Sequence, residues 1–406
     1  MLDFDSFDYF EDLLALAVVA VPLYYVVPWL PARRLLLALV GMYLLFLIAP
    51  RLLAFYFPFW VAVFGLQHLI AAAPERRWRP AVLTASIVAI LAPLVLWKFF
   101  PTRFIIRFNL FFNERVDDLS PWLGAIDRVR DVILPIGLSF ATFRAIDLVI
   151  KVHIGLTEPL SATRMLAFGF FPPIQVIGPV IEYNEIEAGL DQRHPADPTN
   201  VLAGALLVAS GLVKVFVISY ALEPSGEILV RFREAAWWQA WTELLVFALY
   251  FFFNFAGFSD IAIGTARLFG FTLKPNFNNP FMKTNPQEFW NNWHMSLTRF
   301  AQRNVFVPLG GMRREHQYRA VFATIMVIAL WHDLTVPLVL FGLYHAAGLI
   351  GHRLLIERRP AAADAHRAMR TIKMGLVFVF VALSFPMLLM QLNDLPDFYA
   401  RLIGIP

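Results

Sequence analysis

Two histidines in this chain stand where their chemistry would be useful. His332 lies in the segment Leu330 to Thr335, inside an apolar stretch where an ionisable side chain costs free energy unless it is used or paired. A neutral imidazole accepts a proton from a hydroxyl near pH 7 and returns it afterwards, as general base catalysis requires. The alternative is a hydrogen bond from His332 to a carbonyl on a facing helix. Spacing alone leaves both interpretations open.

The second histidine, His294, belongs to the most polar stretch of the chain, residues 274–311. Within it, the run from Asn285 to Glu288 predicts a helix start, with asparagine as the N-cap and proline in the first turn. On that helix His294 would share a face with Trp290, four residues earlier, and Leu297, three residues later. A histidine on such a face usually packs against its neighbours, so a packing role stays open beside a catalytic one.

Other polar residues lie in apolar segments elsewhere in the chain. Asn254, Ser259 and Asp260 are predicted either to bind a substrate or to join helices by hydrogen bonds. Arg144 and Asp147 stand three residues apart, which predicts an ion pair along one helix face. No metal-ligand spacing joins the histidines and the chain has no cysteine, so we predict neither a metal site nor a cysteine acyl-enzyme.

The elements that position these residues must be membrane helices. Of the 406 residues, 59% are hydrophobic and 16% are charged, whereas a soluble domain carries about 25% charged residues. A hydrocarbon core needs about 20 apolar residues per helix. Ten segments come close to this length: residues 13–31, 35–50, 52–73, 81–99, 132–150, 165–181, 200–222, 237–256, 321–351 and 374–391. We therefore predict an all-α polytopic membrane protein with about ten to eleven transmembrane or re-entrant helices, folded as a single domain over residues 1–406.

The stretch 321–351 is too long for one membrane crossing. Asp333 and Pro337 interrupt it, which predicts a hairpin or a broken helix. Basic residues flank both of its ends, so the pattern favours a hairpin with both ends in the cytoplasm. His345 falls on the returning arm, where Gly342 allows close contact between helices, and we predict a structural role for this histidine.

The charges of the chain follow the pattern of an integral membrane protein. A formal charge of +4 is explained by arginine-rich loops, so no nucleic-acid partner is predicted. The first 12 residues contain five acidic and no basic residues, and we predict no secretory signal peptide. Arg33-Arg34 and Arg76-Arg77-Trp78-Arg79 then place the N-terminus outside. The amphipathic loop 100–130 is expected either to lie along the membrane interface or to form a short connecting helix.

Seven blocks of residues occur in an order that resembles the membrane-bound O-acyltransferase family. They lie within residues 130–350 and read LPIGLSFATFR (134–144), FGFFPPIQVIGPV (168–180), FNFAGFSDIAIGTARLFGF (253–271), NFNNPF (276–281), FWNNWHMSLTRF (289–300), VPLGG (307–311) and LWHDLTVPLVLFGLYH (330–345). The order and number of the blocks make the resemblance specific. It points to the bacterial branch that includes alginate O-acetyltransferases and the teichoic-acid D-alanyl transfer protein.

The resemblance implies a fold and a set of functional residues. The family fold is similar to a ring of tilted helices around a central tunnel, open to the acyl donor from the cytoplasm and to the acceptor from the opposite side. His332 matches the family's catalytic histidine, and His294 matches its second histidine. Asp333 stands where the family usually has glycine, and its carboxylate could raise the basicity of His332 or pair elsewhere. The predicted substrate-binding residues are Trp290, Asn291, Trp293, Ser296, Asn254, Asp260 and Asp333.

The resemblance also implies a reaction. His332, as general base, would deprotonate an acceptor hydroxyl that attacks a thioester. His294, with Asn291 or Ser296, would orient the reactants or stabilise the oxyanion. An acyl-His or acyl-Ser intermediate is the alternative. The donor would be acetyl-coenzyme A or an acyl-carrier-protein thioester, with no permanently bound cofactor. The acceptor would be an extracytoplasmic glycopolymer, or a partner protein that relays the acyl group, at the bacterial inner membrane.

Other functions fit parts of the same sequence. D-alanyl transfer for teichoic-acid-type polymers suits the compact length, whereas the VPLGG block (307–311) favours acetyl transfer to an exopolysaccharide. A transporter or flippase would use His332 and Asp333 as a proton relay within the membrane. The aromatic, asparagine-rich segment 285–300 and the lack of a paired motif in the first half argue against transport. A pseudo-enzyme that only holds a partner is a further alternative.

The positive-inside pattern predicts that Arg76–Arg79 and Arg358–Arg359 face the cytoplasm, while residues 1–11 and 393–406 face outside. Because the chain has no cysteine, the single variants Arg77→Cys and Arg359→Cys report the side on which each loop lies. An impermeant thiol reagent should label neither variant in intact cells and both after permeabilisation. Labelling in intact cells would overturn this orientation.

Overall fold

The computed structural model describes residues 6–48, 50–73, 78–99, 137–175, 178–192, 195–222, 232–358 and 367–405. Every regular element in these ranges is a helix, and they contain no strand. The predicted all-α fold is therefore confirmed. The loop 100–130 and the orientation markers Arg76, Arg77 and Arg359 lie outside the described residues.

The helices of the first half include long apolar ones and two short ones. They are α1 (Ser6–Val26), α2 (Leu30–Ile48), α3 (Pro50–Ala72), α4 (Arg79–Phe99), α5 (Leu138–His153), α6 (Ala162–Gly169), α7 (Tyr183–Asp191) and α8 (Pro198–Leu212), which continues into a π-helical stretch (Val213–Ser219). Pro22, Pro58 and Pro93 lie inside α1, α3 and α4. Membrane helices tolerate such prolines because neighbouring groups satisfy the carbonyls that the missing N–H leaves unpaired.

The second half contains both long and short helices. They are α9 (Trp237–Leu268), α10 (Pro286–Asn292), α11 (Met295–Ala301), α12 (Gln317–His332), α13 (Val336–Arg358), α14 (Arg367–Ala382), α15 (Phe385–Leu389) and α16 (Leu395–Leu402). Among the described residues, seven helical segments are long and apolar enough to cross a membrane: Leu30–Ile48, Leu52–Ala72, Arg79–Leu96, Pro198–Leu222, Trp237–Leu268, Val336–Leu355 and Arg367–Leu389.

The predicted span 165–181 is wrong, because this segment is not a single helix. α6 ends at Gly169, partway through the segment, and a short 3₁₀ turn, Pro172–Ile174, follows. Two successive prolines supply no N–H groups and cannot continue an α-helix. Phe168 and Phe171 are 0% exposed, so the segment is apolar because it lies in the protein core and not because it faces lipid.

The predicted hairpin is confirmed. α12 and α13 are separated only by residues 333–335, and Pro337 lies in the first turn of α13, where its missing N–H costs nothing. A Cβ on Gly342 would lie 2.6 Å from Met326 Sδ and 3.1 Å from Ala329 Cβ. A side chain at Gly342 would press on both residues of the facing arm, so the two arms approach closely at this glycine, as small residues between membrane helices predict.

The chain packs as two compact units, and the single-domain prediction stays a prediction. One unit comprises residues 1–208 and 261–274, and the other comprises residues 209–260 and 275–406. In the first unit, α5 is buried almost along its whole length. Its Arg144 guanidinium lies over the rings of Trp60 and Phe168, with its central carbon 5.2 Å and 4.7 Å from their centroids.

A buried ionic network fastens α5 to the segment that enters α7. Lys151 Nζ donates to Glu182 Oε2 at 2.6 Å and to Asn184 Oδ1 at 2.9 Å. The same nitrogen lies 2.9 Å from Asp147 Oδ2. The sequence pattern pointed to Arg144 as the partner of Asp147, whereas Lys151, one turn further along α5, pairs with it here. The pattern missed Glu182 because that residue is 31 positions away from Lys151.

Lys151→Met should lower the free energy of unfolding by about 3–5 kcal/mol, because it leaves buried carboxylates without their counter-charge. Thermal unfolding of the detergent-solubilised protein measures the effect. Arg233→Met is the matched control, because it removes an ion pair with Asp394 at the protein surface. The Arg233 side chain is 63% exposed. The control should change stability by about 0–1 kcal/mol. Equal losses in the two variants would contradict the structural role of the buried network.

Candidate active site

The helix that leads into the candidate site begins where its sequence predicts. Asn285 caps α10 by accepting the backbone N–H of Glu288 at 2.8 Å, and Pro286 occupies the first helical position. The Glu288 carboxylate turns back and accepts the backbone N–H and the hydroxyl of Thr284, each at 3.1 Å. The bond from Glu288 satisfies one of the first donors of α10, and the bonds from Thr284 hold the residue before the cap, so together they fix where the helix starts.

The same helix ends earlier than its pattern predicts. α10 stops at Asn292, and His294 adopts a left-handed conformation, with φ 43° and ψ 52°, before α11 begins. The prediction that His294 shares one helix face with Trp290 and Leu297 was therefore wrong. A left-handed backbone costs a non-glycine residue about 1–3 kcal/mol and persists only where its surroundings hold it.

Asn276 holds this turn. It is 1% exposed, and its backbone carbonyl accepts the N–H of Met295 at 2.8 Å. Its Oδ1 accepts from the backbone N–H of Ser296 at 3.1 Å and from the Ser296 hydroxyl at 2.8 Å. His294 Nδ1 lies 3.2 Å from the same oxygen, and Asn276 Nδ2 donates to Ser259 Oγ on α9 at 2.9 Å. A residue 18 positions before His294 therefore fixes its conformation.

The electrostatic surroundings keep His294 uncharged. Burial, followed by the positive charges of His332 and Arg299, lowers the pKa of His294 to about 3. His294 lies outside the seven candidate spans. The unfolded chain binds this proton near pH 6.5 and the folded chain does not, so the fold loses no stability through His294 at neutral pH and is destabilised as the pH falls from about 6.5 towards 3. α11, which begins directly after His294, also packs against α12, which ends at His332.

An aromatic cluster surrounds the residue beside His294. Trp293 stacks on Phe289 with 5.4 Å between centroids and meets Phe277 edge-on at 5.1 Å. The ring of His294 meets Phe255 edge-on at 4.8 Å. These rings give one side of the site an apolar wall, which is the environment that disfavours a charged imidazole.

His345 joins α10 to two other elements through a complete chain of hydrogen bonds. Trp290 Nε1 donates to His345 Nδ1 at 3.2 Å, and an indole N–H cannot accept. The hydrogen of a neutral His345 is therefore on Nε2, which lies 2.9 Å from Ser384 Oγ. The Ser384 hydroxyl donates to the carbonyl of Val381 at 2.7 Å. Each buried group has a partner, which accounts for His345 as a structural residue.

His332 is the last residue of α12, and its side chain is exposed. Its ring lies against Trp331 with 4.6 Å between centroids. Asp333 follows in an extended conformation, and its Oδ1 accepts the backbone N–H of Leu334 at 2.7 Å. That bond helps to end α12, so the Asp333 carboxylate acts on the backbone of the break between α12 and α13.

The remaining substrate-binding candidates fall into different surroundings. Ser296 belongs to the Asn276 network, whereas Asn291 is exposed on α10 and Asn254 is half-buried on α9. Asp260 forms an ion pair with Lys214 on the π-helical stretch after α8, which favours its helix-joining alternative. In the part of the chain that the structure describes, no group of three or more His, Asp or Glu side chains could hold a metal ion.

Asn276 was not among the predicted site residues. It opens the NFNNPF block (276–281), so its place in a recognisable block was a signal. No local spacing could reveal its role, because its partners are Ser259, His294 and Ser296, which lie 17 to 20 positions away.

Comparison with known proteins gives one consistent family. The family model of the membrane-bound O-acyltransferases matches residues 139–392, which include every residue of the candidate site. Probable alginate O-acetylase AlgI of Pseudomonas aeruginosa is 30% identical over 260 residues, covering 62% of this chain and 48% of that protein. Peptidoglycan O-acetyltransferase of Helicobacter pylori is 25% identical over 300 residues, covering 66% and 55%. Teichoic acid D-alanyltransferase of Bacillus subtilis is 28% identical over 234 residues, covering 53% and 58%. The matched part is about half of each relative's length.

Proposed function

Because this chain belongs to the membrane-bound O-acyltransferase family, we propose that it transfers an acyl group from a thioester donor to a hydroxyl. The pair of histidines carries the proposal. His294 and His332 lie in the matched part of the chain, and α11, which begins directly after His294, packs against α12, which ends at His332. An imidazole is suited to moving a proton to and from a reacting oxygen.

In the proposed reaction His332 is the general base. It takes the proton of the acceptor hydroxyl while the hydroxyl oxygen forms a bond to the carbonyl carbon of the thioester. Collapse of the tetrahedral intermediate breaks the bond between carbon and sulfur. The departing sulfur receives the proton from His332, so the products are an ester and a free thiol, and the imidazole is neutral again.

The position of His332 supports this role. The last carbonyl groups of a helix have no partner within it and stabilise positive charge. His332 ends α12, and its side chain is exposed. The imidazolium that exists between the two proton transfers therefore lies at a helix end that favours positive charge. Because the side chain is exposed, a reacting hydroxyl can approach His332.

The proposed substrates follow from the relatives. Two of them are named as O-acetylating proteins for alginate and peptidoglycan, which favours acetyl transfer to an extracytoplasmic glycopolymer or to a relay partner. The donor would be acetyl-coenzyme A or an acyl-carrier-protein thioester, reached from the cytoplasmic side of the bacterial inner membrane, with the N-terminus outside. The relative named teichoic acid D-alanyltransferase keeps D-alanyl transfer as the second candidate.

His332→Ala should reduce acyl transfer by about 10²–10⁴, because it removes the general base. His332→Gln should not restore it, since an amide can hydrogen-bond but cannot take the proton. The measurement is ester formed per unit of folded protein, with acetyl-coenzyme A, an acetylated carrier protein and a D-alanylated carrier protein offered in turn.

His68→Ala is the matched control for this series. His68 is an exposed histidine on α3 whose Nδ1 lies 2.9 Å from a carbonyl of its own helix, and its loss should leave transfer unchanged. Substantial transfer by His332→Gln would reduce His332 to a helix-bridging residue. If the native protein transferred neither acetyl nor D-alanyl from any donor, the proposed function would be wrong.

A further inference from the structure

The Asn276 side chain can adopt only one orientation in its site. The backbone N–H of Ser296 can only donate, so the side-chain atom of Asn276 that it meets must be the amide oxygen. The amide nitrogen then faces Ser259 Oγ, at 2.9 Å, as a donor. Turning the amide over would set its NH₂ group against the Ser296 N–H and leave that buried donor without a partner.

The fixed oxygen determines which nitrogen of His294 carries hydrogen. An amide oxygen accepts and cannot donate, and the Ser296 hydroxyl, 3.4 Å from Nδ1, gives its hydrogen to the same oxygen at 2.8 Å. His294 Nδ1, 3.2 Å from that oxygen, therefore carries the hydrogen of the ring. A neutral imidazole has one hydrogen, and its partner decides which nitrogen holds it. The lone pair of neutral His294 is therefore on Nε2.

The charged groups around His294 reinforce the neutral form. His332, at the end of α12, and Arg299, on α11, are the titratable groups whose charges act on it, and each disfavours a second proton on the ring. The groups that hold His294 directly, Asn276 and Ser296, are uncharged. At neutral pH the ring consequently has one hydrogen, already given to Asn276, and one lone pair.

We propose that Asn276 is a positioning residue that fixes His294 with its hydrogen on Nδ1, so that His294 accepts a hydrogen bond through Nε2 in the transfer reaction. The second half of this statement rests on the proposed acyl transfer. Of the two roles that the resemblance implied for His294, this arrangement keeps orientation of the reactants and removes stabilisation of an oxyanion, because no N–H remains to donate. The group that His294 recognises carries a hydrogen to donate, as the acceptor hydroxyl does.

The tautomer can be measured without any substrate. In protein with ¹⁵N-labelled histidine, the two ring nitrogens of His294 give separate signals that show which one carries hydrogen, and the His294→Ala variant identifies them. The native protein should show hydrogen on Nδ1 only. Asn276→Ala should give a mixture of tautomers, and Asn278→Asp, an exposed position two residues away, should leave the signals unchanged. Hydrogen on Nε2 in the native protein would overturn the proposal, whatever the activity.

The rate of transfer tests the role in the reaction. Asn276→Asp keeps an accepting oxygen beside Nδ1, so hydrogen should stay on Nδ1 and Nε2 should remain the acceptor. The pKa of native His294 is about 3, so this variant should still hold the ring neutral at pH 7 and keep most of its transfer. Asn276→Ala should lose transfer by about tenfold or more, because His294 is no longer held in one orientation.

Asn276→Asp and Asn276→Leu separate positioning from packing, because Leu has a similar volume but no accepting oxygen. A residue that only packs would be replaced equally well by either one. Equal transfer by Asn276→Asp and Asn276→Leu, per unit of folded protein, would overturn the proposal. If His294 carries its hydrogen on Nδ1 and Asn276→Ala mixes the tautomers, but the native protein transfers no acyl group, then the proposed function fails and the positioning role of Asn276 stands.

Discussion

The candidate site depends on one oxygen atom, Oδ1 of Asn276. It accepts hydrogen bonds from the first turn of α11 and meets Nδ1 of His294, so a residue outside both helices decides where α10 ends and α11 begins. These bonds compensate the positive φ of His294, which a continuous helix would not require. The same atom therefore sets the backbone break, the direction of the imidazole and the nitrogen that carries its hydrogen.

Hydrogen bonds and packing contacts connect other helices of this unit, one after another, to the helix break at His294. The bond from Trp290 to His345 attaches α10 to α13, and Ser384 extends that attachment to the turn before α15. α13 in turn packs closely on α12 at Gly342, and α12 ends at His332. Hydrogen bonds and packing contacts thus connect the elements that carry His294 and His332, and His345 supports both elements without entering the chemistry.

The sequence predicted those helix boundaries that a side chain sets within a few residues of its own position. The cap at Asn285 and the hairpin break near Pro337 follow from side chains acting on their own backbone, and both are confirmed. The end of α10 could not be predicted, because the spacing of Trp290 and His294 also fits a continuous helix and the contact that breaks it comes from 18 positions earlier. The prediction of a membrane span at 165–181 was wrong for a different reason. Hydropathy does not distinguish a residue buried in protein from one that faces lipid.

The central claim is that His294 and His332 act as one unit, in which His332 takes and returns the proton and His294 orients the acceptor hydroxyl. A double-mutant cycle on acyl transfer tests it, with His294→Ala, His332→Ala and the double variant compared as rate per folded protein. Residues that act as a unit lose their effect together, so the double variant should be no slower than the slower single variant. If the two losses multiply instead, the histidines contribute independently, and the account of a shared site is contradicted.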